Sequence, residues 1–269
     1  MPHTYECLLR WADMDLLGHI NNVTYLDYVT EAREALFAGH PAGRASAARH
    51  QVEFVKPLVF RREPVLVDTW VTDVSSDGLT LAQEVYDAPA SPGAGRTVHL
   101  RATTVLAHRL EESERDLVEG LRGPAYDWRP VNAGNRSPGD VFDLPVRRSD
   151  MDETGRARAG MFFEYAQEAR IRYLMNLHTA GERWSQHVVA RTDVDHLAPL
   201  AHRSEPYAVH SWVAHLGSRS FTIRSDIRDG DGVLASAAVV MVTFDLETQG
   251  TTEMADQQRA RLEKELASS

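Results

Sequence analysis

The chain has 269 residues, 43% of them hydrophobic and 25% charged, the composition of an ordinary globular protein with enough length for two domains of roughly 150 residues or one large one. No run approaches the roughly 18 apolar residues of a membrane-spanning helix, and the opening Met1-Pro2-His3-Thr4-Tyr5-Glu6-Cys7 has neither the basic nor the apolar region of a secretory signal, so a cytoplasmic protein is expected. Lys plus Arg number 29 against 39 Asp plus Glu, a net charge of −10 that repels nucleic acid, and the single cysteine, Cys7, excludes an intrachain disulfide or a clustered thiolate metal site.

A leading strand comes first, with Cys7 beside Leu8 and Leu9, where a buried, inert thiol is expected. Tyr25, Leu26, Val29, Ala32, Leu36 and Phe37 then fall on one helical stripe, which Asn21 or Asn22 can cap and Gly39 can end. Strand-like segments follow near 51–56, 65–74, 79–86 and 97–107, with turns at Ser75-Ser76-Asp77-Gly78 and in the Pro/Gly-rich stretch 88–95. Residues 112–140 read as a linker, carrying Gly123-Pro124, Arg129-Pro130 and Ser137-Pro138-Gly139, with a short helix expected over 113–121. The order then recurs. A second stripe of Phe162, Phe163, Ala166, Ala169, Tyr173 and Leu177 ends near Gly181 and precedes strands near 188–196, 207–215, 220–228 and 233–245. Asp229-Gly230-Asp231-Gly232 marks the last hairpin, and a solvated terminal helix is expected over 254–266.

This recurrence is an internal repeat. At an offset of 137, Asp13, Met14, Asp15, Gly18, Tyr28, Glu31, Ala32 and Arg33 match Asp150, Met151, Asp152, Gly155, Tyr165, Glu168, Ala169 and Arg170. The offset becomes 142 for Pro57-Leu58, Glu63-Pro64 and Trp70-Val71 against Pro199-Leu200, Glu205-Pro206 and Trp212-Val213, then 136 for Ala102, Leu110 and Glu111 against Ala238, Leu246 and Glu247. So long a period makes each repeat a whole folding unit rather than a solenoid module. The expected division is 1–111 for the first unit, 112–140 for the linker and 141–269 for the second. One helix stripe buried against one antiparallel sheet is the simplest packing for each.

The segment Asp13-Met14-Asp15-Leu16-Leu17-Gly18-His19-Ile20-Asn21-Asn22 lies between a strand and a helix N-terminus. Such a terminus offers unpaired N–H groups and a partial positive charge, which suit an oxyanion. A carboxylate at Asp15 would stay ionised there, available as base or nucleophile for acyl transfer. The same residues also read as an Asp-Gly turn with Asn caps.

The pattern D-x-D-x-x-G-H-[IV]-N-N-x-x-Y followed by E-A-R resembles the hotdog-fold thioesterases of the 4-hydroxybenzoyl-CoA thioesterase type, and also the acyl-ACP thioesterases. The resemblance implies an α+β double hotdog, two repeats each with a long helix wrapped by a curved antiparallel sheet, forming an intrachain pseudo-dimer that shares one sheet. It implies hydrolysis of an acyl or aryl thioester of CoA or acyl carrier protein in fatty acid metabolism, without metal or cofactor, and a homodimer of pseudo-dimers is one expected assembly. The catalytic carboxylate would be Asp15, with His19 and Asn22 beside it and the amides of Gly18 to Asn22 polarising the carbonyl. Gly18, Ile20, Asn21, Tyr25 and Gly155 would contact substrate. The second repeat keeps Asp152 and Gly155 but has Arg156, Arg158, Ala159 and Phe162 where the first has His19, Asn21, Asn22 and Tyr25. Asp15 alone, or Asp15 and Asp152 separately, could therefore carry catalysis. Retention of Glu31-Ala32-Arg33 as Glu168-Ala169-Arg170 points to an architectural, ion-paired helix surface.

Competing chemistries have less in the sequence. The 12 histidines lack an H-E-x-x-H spacing, and the run Asp193-Val194-Asp195-His196 would send alternate side chains to opposite faces of a strand. Arg61-Arg62 and Arg147-Arg148 fit either CoA phosphates or solvated strand ends. A non-catalytic acyl-CoA-binding protein and a hotdog enoyl-thioester hydratase or dehydratase remain the alternatives.

Overall fold

Tyr25, Leu26, Val29, Ala32 and Leu36 form the inward stripe of helix α1 (Thr24–Leu36), and Gly39, at φ +82°, turns the chain away beyond its end. The computed structural model describes residues 1–15, 18–89, 91, 95–132, 134, 139–245, 247–248 and 250–267. Leu16-Leu17 of the entrance motif, parts of the 88–95 turn, Ser137-Pro138 of the expected linker and Leu246 of the repeat lie outside these residues. The chain divides into two units, Met1–Trp128 and Arg129–Ser269.

In the first unit, β1 (His3–Cys7), β2 (Ala47–Phe54), β3 (Val65–Val74), β4 (Leu79–Asp87) and β5 (Thr97–Leu106) pair antiparallel in the order β1-β3-β4-β5-β2. Bulges at Thr72 on β3 and His99 on β5 bend the ribbon. Leu36 and Phe37 at the end of α1 pack with Val71, Leu79, Leu81 and Leu106 from the sheet. Gln83, buried on β4, fastens the helix: its Nε2 donates to the Val29 carbonyl at 2.6 Å, and its Oε1 accepts the Thr104 hydroxyl at 3.2 Å.

The second unit repeats the plan. β6 (Asp140–Leu144), α3 (Ala159–Leu177), β7 (His187–His196), β8 (Tyr207–Leu216), β9 (Ser220–Asp229) and β10 (Gly232–Asp245) follow in sequence. Their antiparallel order is β6-β8-β9-β10-β7, and a short β11 (Gly250–Thr251) adds to β10. α4 (Asp256–Ala267) is exposed on most faces but seats Leu262 in a core with Tyr173, Leu177, Phe221 and Met241.

Two features differ from the sequence reading. The stretch expected as a linker contains α2 (Arg115–Gly120), and as far as Trp128 it lies on the first unit, the remainder belonging to the second. The Val71 N–H donates to Leu121 O and the Gly123 N–H to Val71 O, both at 2.9 Å, while Trp70 Nε1 donates to Pro124 O at 2.8 Å. Tyr126 and Trp128 bury their rings while donating to Gln83 O at 3.1 Å and Thr103 Oγ1 at 2.8 Å.

The second correction concerns the E-A-R triplets. Arg33 and Arg170 are each only 9% exposed rather than on a surface, although Arg33 keeps an ion pair with Glu34 at 3.8 Å. Arg33 donates to Ala45 O at 3.3 Å. The hydrogen bond of Arg170 goes to the thioether of Met241, 3.1 Å away, and burial pushes its guanidinium down to about 10. Glu31 and Glu168 take the surface pairings instead, with Arg10 at 3.8 Å and Arg172 at 2.7 Å.

Two stability predictions follow from this packing. Burial pushes His196, set edge-on against Phe162 with ring centroids 4.6 Å apart, down to about 4. The unfolded chain then binds more protons than the folded one between pH 6.5 and 4, so that contribution is intact above pH 6.5 and is lost as the pH falls towards 4. Urea titrations at pH 7 and pH 4 should show wild type losing up to about 3 kcal/mol more than His196→Gln. Arg170→Met, which removes a buried cation with no carboxylate partner among the described residues, is expected to leave the melting temperature unchanged or raise it. A fall of several degrees would contradict the packing account.

Candidate active site

The entrance to α1 is a tight loop held by its own aspartates. Asp13 closes a short 3-10 turn, accepting the Arg10 N–H at 2.8 Å, and its Oδ2 also accepts the Tyr28 hydroxyl at 2.7 Å. Asp150 repeats this with the Arg147 N–H at 2.8 Å and the Tyr165 hydroxyl at 2.9 Å. The first aspartate of the motif is thus structural in both repeats, and its partner tyrosine is the one the repeat alignment matched.

Asp15, half-buried, begins the next turn. Its N–H donates to His19 O at 2.7 Å, its carbonyl accepts the Gly18 N–H at 3.1 Å, and its Oδ1 accepts the His19 N–H at 3.1 Å. Gly18 closes the turn at φ +74°, where a side chain would strain the backbone even though open space surrounds the position. Gly155 is its twin at φ +78°. Met14 and Ile20 bridge antiparallel, as do Met151 and Ala157.

Of the five amides that resemblance implicates in binding an oxyanion, four are engaged within the fold. Gly18 and His19 donate to Asp15, Ile20 to Leu58 O at 2.7 Å and Asn21 to Asp13 O at 2.8 Å. Asn21 is also the helix cap, its Oδ1 accepting the Val23 N–H at 3.1 Å and its carbonyl the Thr24 N–H at 2.9 Å. Among the described residues, the amides of Asn22 and Tyr25 meet no acceptor, as expected of a helix's first turn. Nor do the half-buried side chains of His19 and Asn22 hydrogen-bond to any described residue. Ile20 is a 2%-exposed core residue beneath the loop. Tyr25 is buried against Phe54, with ring centroids 5.8 Å apart, and its phenol is pushed up chiefly by burial, with Asp15 and Asp87 adding repulsion.

The second loop has the same backbone and a different surface. Asp152 is exposed, and its Oδ1 accepts the Thr154 N–H at 2.8 Å, the Thr154 hydroxyl at 2.7 Å and the Arg156 N–H at 3.1 Å. Partial burial would raise its carboxyl, but these bonds outweigh that and hold it below the usual range.

Sequence reading missed a buried group in the first unit. His99, 3% exposed, sets Nδ1 3.2 Å from Lys56 O and Nε2 2.8 Å from Asp87, which also pairs with Arg61. Burial tends to raise the Asp87 carboxyl, yet Arg61 and His99 together keep it low. The signal available was the recurrence of Arg61 and Asp87 as Arg203 and Asp229, 2.8 Å apart. Cys7 is buried and its thiol is pushed up to about 12 by burial and by Glu31, which leaves it unreactive.

The model of the thioesterase-like superfamily matches residues 9–119 and again 146–262. No curated protein matches the chain. Among solved structures, a putative oleoyl thioesterase from Lactobacillus plantarum superposes with a TM-score of 0.68 at 10% identity, covering 91% of this chain and 97% of its own. The 12:0-ACP thioesterase from Umbellularia californica gives 0.68 at 10%, covering 90% and 94%, and an acyl-ACP thioesterase from Bacteroides thetaiotaomicron gives 0.63 at 12%, covering 89% and 97%. At these identities the likeness is one of fold, a tandem of two hotdog units. With both halves matched by one family model, the chain belongs to the thioesterase-like superfamily and is a thioester hydrolase.

Proposed function

We propose that the chain hydrolyses a fatty acyl thioester at the loop entering α1, with acyl-CoA as substrate and Asp15 as the catalytic carboxylate. The observation that carries this is the contrast between two loops of one backbone. The first has the side chains of His19 and Asn22, without a hydrogen-bond partner among the described residues, beside a half-buried Asp15, while the second has Arg156 and Ala159 beside an exposed Asp152 that also accepts the Thr154 hydroxyl. Unpartnered polar side chains beside a carboxylate at a helix entrance suit a ligand that brings its own donors and acceptors.

In this reading the thioester carbonyl approaches the first turn of α1, and the amides of Asn22 and Tyr25 take the developing oxyanion. Asp15 either removes a proton from water as the water attacks or attacks the carbonyl itself to give a mixed anhydride that water then opens. Both routes expel the thiolate, which takes a proton, and end in the carboxylate, CoA thiol and one proton. His19 positions the water or the departing sulfur, and Asn22 orients the substrate. The His19 N–H bond to Oδ1 fixes the carboxylate's direction. Thr154 competes for the Asp152 carboxylate, so the second loop contributes little turnover. The neighbours named for acyl-ACP make the carrier-protein thioester the second substrate to test. No described helix is long and apolar enough to cross a membrane, and we place the reaction in the cytoplasm.

Release of free thiol from acyl-CoA and acyl-ACP of several chain lengths tests this. Asp15→Asn keeps an oxygen that can accept the His19 N–H, so it should fold normally while losing roughly 100- to 10,000-fold in kcat. His19→Ala should lose on the order of tenfold or more, and Asp152→Asn less than about threefold. Equal losses at the two aspartates would sink the one-site reading. Loss of enoyl absorbance without thiol release would instead mark a hydratase.

A further inference from the structure

Both units carry a β-bulge at the same place, and the first puts a histidine in it. Between the pairs Tyr86–Val98 and Val85–Leu100 the extra residue of β5 is His99, and between Arg228–Val233 and Ile227–Ala235 the extra residue of β10 is Leu234. Each bulge turns its carbonyl to the chain leaving the neighbouring strand. His99 O accepts the Val55 and Lys56 N–H groups at 2.8 and 3.3 Å, and Leu234 O accepts those of Leu197 and Ala198 at 2.9 and 3.0 Å. Leu234 shows that the bulge forms without an imidazole. The backbone therefore does not account for the choice of histidine at 99.

The segment tied to the bulge is the one that receives the loop entering α1. The Ile20 N–H donates to Leu58 O at 2.7 Å, His19 and Val59 bridge antiparallel, and the Leu58 backbone also hydrogen-bonds the Tyr25 hydroxyl. In the second unit the Ala157 N–H meets Leu200 O at 2.8 Å and Arg156 bridges Ala201 in the same way. What the first unit adds is a side-chain tie two residues before Leu58. His99, buried, sets Nδ1 3.2 Å from Lys56 O and Nε2 2.8 Å from Asp87, which Arg61 also holds. Both partners are acceptors, so an imidazolium, with a proton on each nitrogen, serves the two at once. A charge-assisted bond inside a buried, satisfied network is stiffer than backbone pairing alone. Leucine offers the Ala198 carbonyl no such bond, and in that unit an exposed Asp229 pairs with Arg203 at 2.8 Å.

We propose that His99 is a positioning residue for the hydrolysis: through Lys56 O it stiffens the segment 56–59 on which the loop 18–20 is laid. His19, bridged to that segment, is the residue whose N–H fixes the Asp15 carboxylate. His99 touches no reacting atom. It acts through Lys56, and displacements of about 1 Å at a reacting centre cost up to roughly 100-fold in rate. The effect on rate rests on the hydrolase reading, whereas the stiffening of the loop does not.

Three variants of the full chain test it. An asparagine amide reaches the place of Nδ1 and a glutamine amide that of Nε2. His99→Asn therefore keeps the bond to Lys56 O and gives up Asp87, His99→Gln does the reverse, and His99→Leu copies the second unit and loses both. Thiol release from acyl-CoA gives kcat and KM, and hydrogen exchange read by mass spectrometry on peptides covering 18–25 gives the stiffness of the loop. His99→Leu and His99→Gln should lose about tenfold in kcat with KM changed by less than about twofold, and exchange across 18–25 should quicken by about threefold or more. His99→Asn should recover most of both. Wild-type kcat or wild-type exchange in His99→Gln overturns the proposal, as does a rise in KM in place of the loss in kcat, or equal behaviour of His99→Asn and His99→Gln. Near-UV circular dichroism checks folding, and should His99→Leu not fold, the comparison of His99→Asn with His99→Gln decides. If Asp15→Asn leaves thiol release intact, the hydrolase reading falls, and the exchange comparison still passes or fails the tie through Lys56.

Discussion

A strand that hands its chain to a helix pressed against the same sheet must reverse within a few residues, and every amide in that reversal needs an acceptor. Two aspartates meet the requirement in each unit. Asp13 and Asp150 accept a backbone N–H and a tyrosine hydroxyl from the helix, so one carboxylate fixes both the turn and the helix's rotation. Asp15 and Asp152 each accept the N–H four residues on, across a glycine with positive φ. The rotation of the helix and the direction of the Asp15 carboxylate both depend on this reversal.

Because the loop is needed for folding, the second aspartate is retained in a repeat that has lost its neighbours' chemistry. Retention of Asp152 therefore says little about catalysis. The information lies in the residues around it, which the backbone does not constrain. The side chains of His19 and Asn22 form no hydrogen bond to a described residue, and the second loop, with arginine and alanine in their places, keeps the same geometry. A carboxylate doing structural work gains little chemistry unless such groups surround it, and only the first unit supplies them.

Periodicity located the elements well because both units bury one helix stripe and one sheet face. Strands read near 65–74 and 220–228 emerge as Val65–Val74 and Ser220–Asp229. The two-residue β11 carries too short a pattern to be read. Arg33 and Arg170 went wrong for a different reason: residue type outweighed position. Arg33 follows Val29 by four and precedes Leu36 by three, and Arg170 stands in the same relation to Ala166 and Tyr173, so the stripe itself turned both inward. Within the site, Asp15, His19 and Asn22 were legible as a motif. The engagement of four of the five amides was not, because their acceptors include Leu58, far along the chain. The pairing of His99 with Asp87 depends likewise on cross-strand register, which no local pattern carries.

Duplication released the two units from a shared compromise in packing. In the first, the Gln83 amide ties the middle of α1 to β4 and β5 through bonds to Val29 and Thr104, a buried polar network whose satisfied members hold the helix at one depth. A site whose oxyanion donors are first-turn amides needs that, since small displacements of a reacting centre cost much of the rate. In the second, Ser225 turns to Ser211 across the sheet rather than to the helix. The polar ties of α3 lie elsewhere, from Tyr165 to Asp150 at its start, from Arg170 to the Met241 thioether and from Asn176 to Asp140 near its end, so its middle meets the sheet through apolar contact.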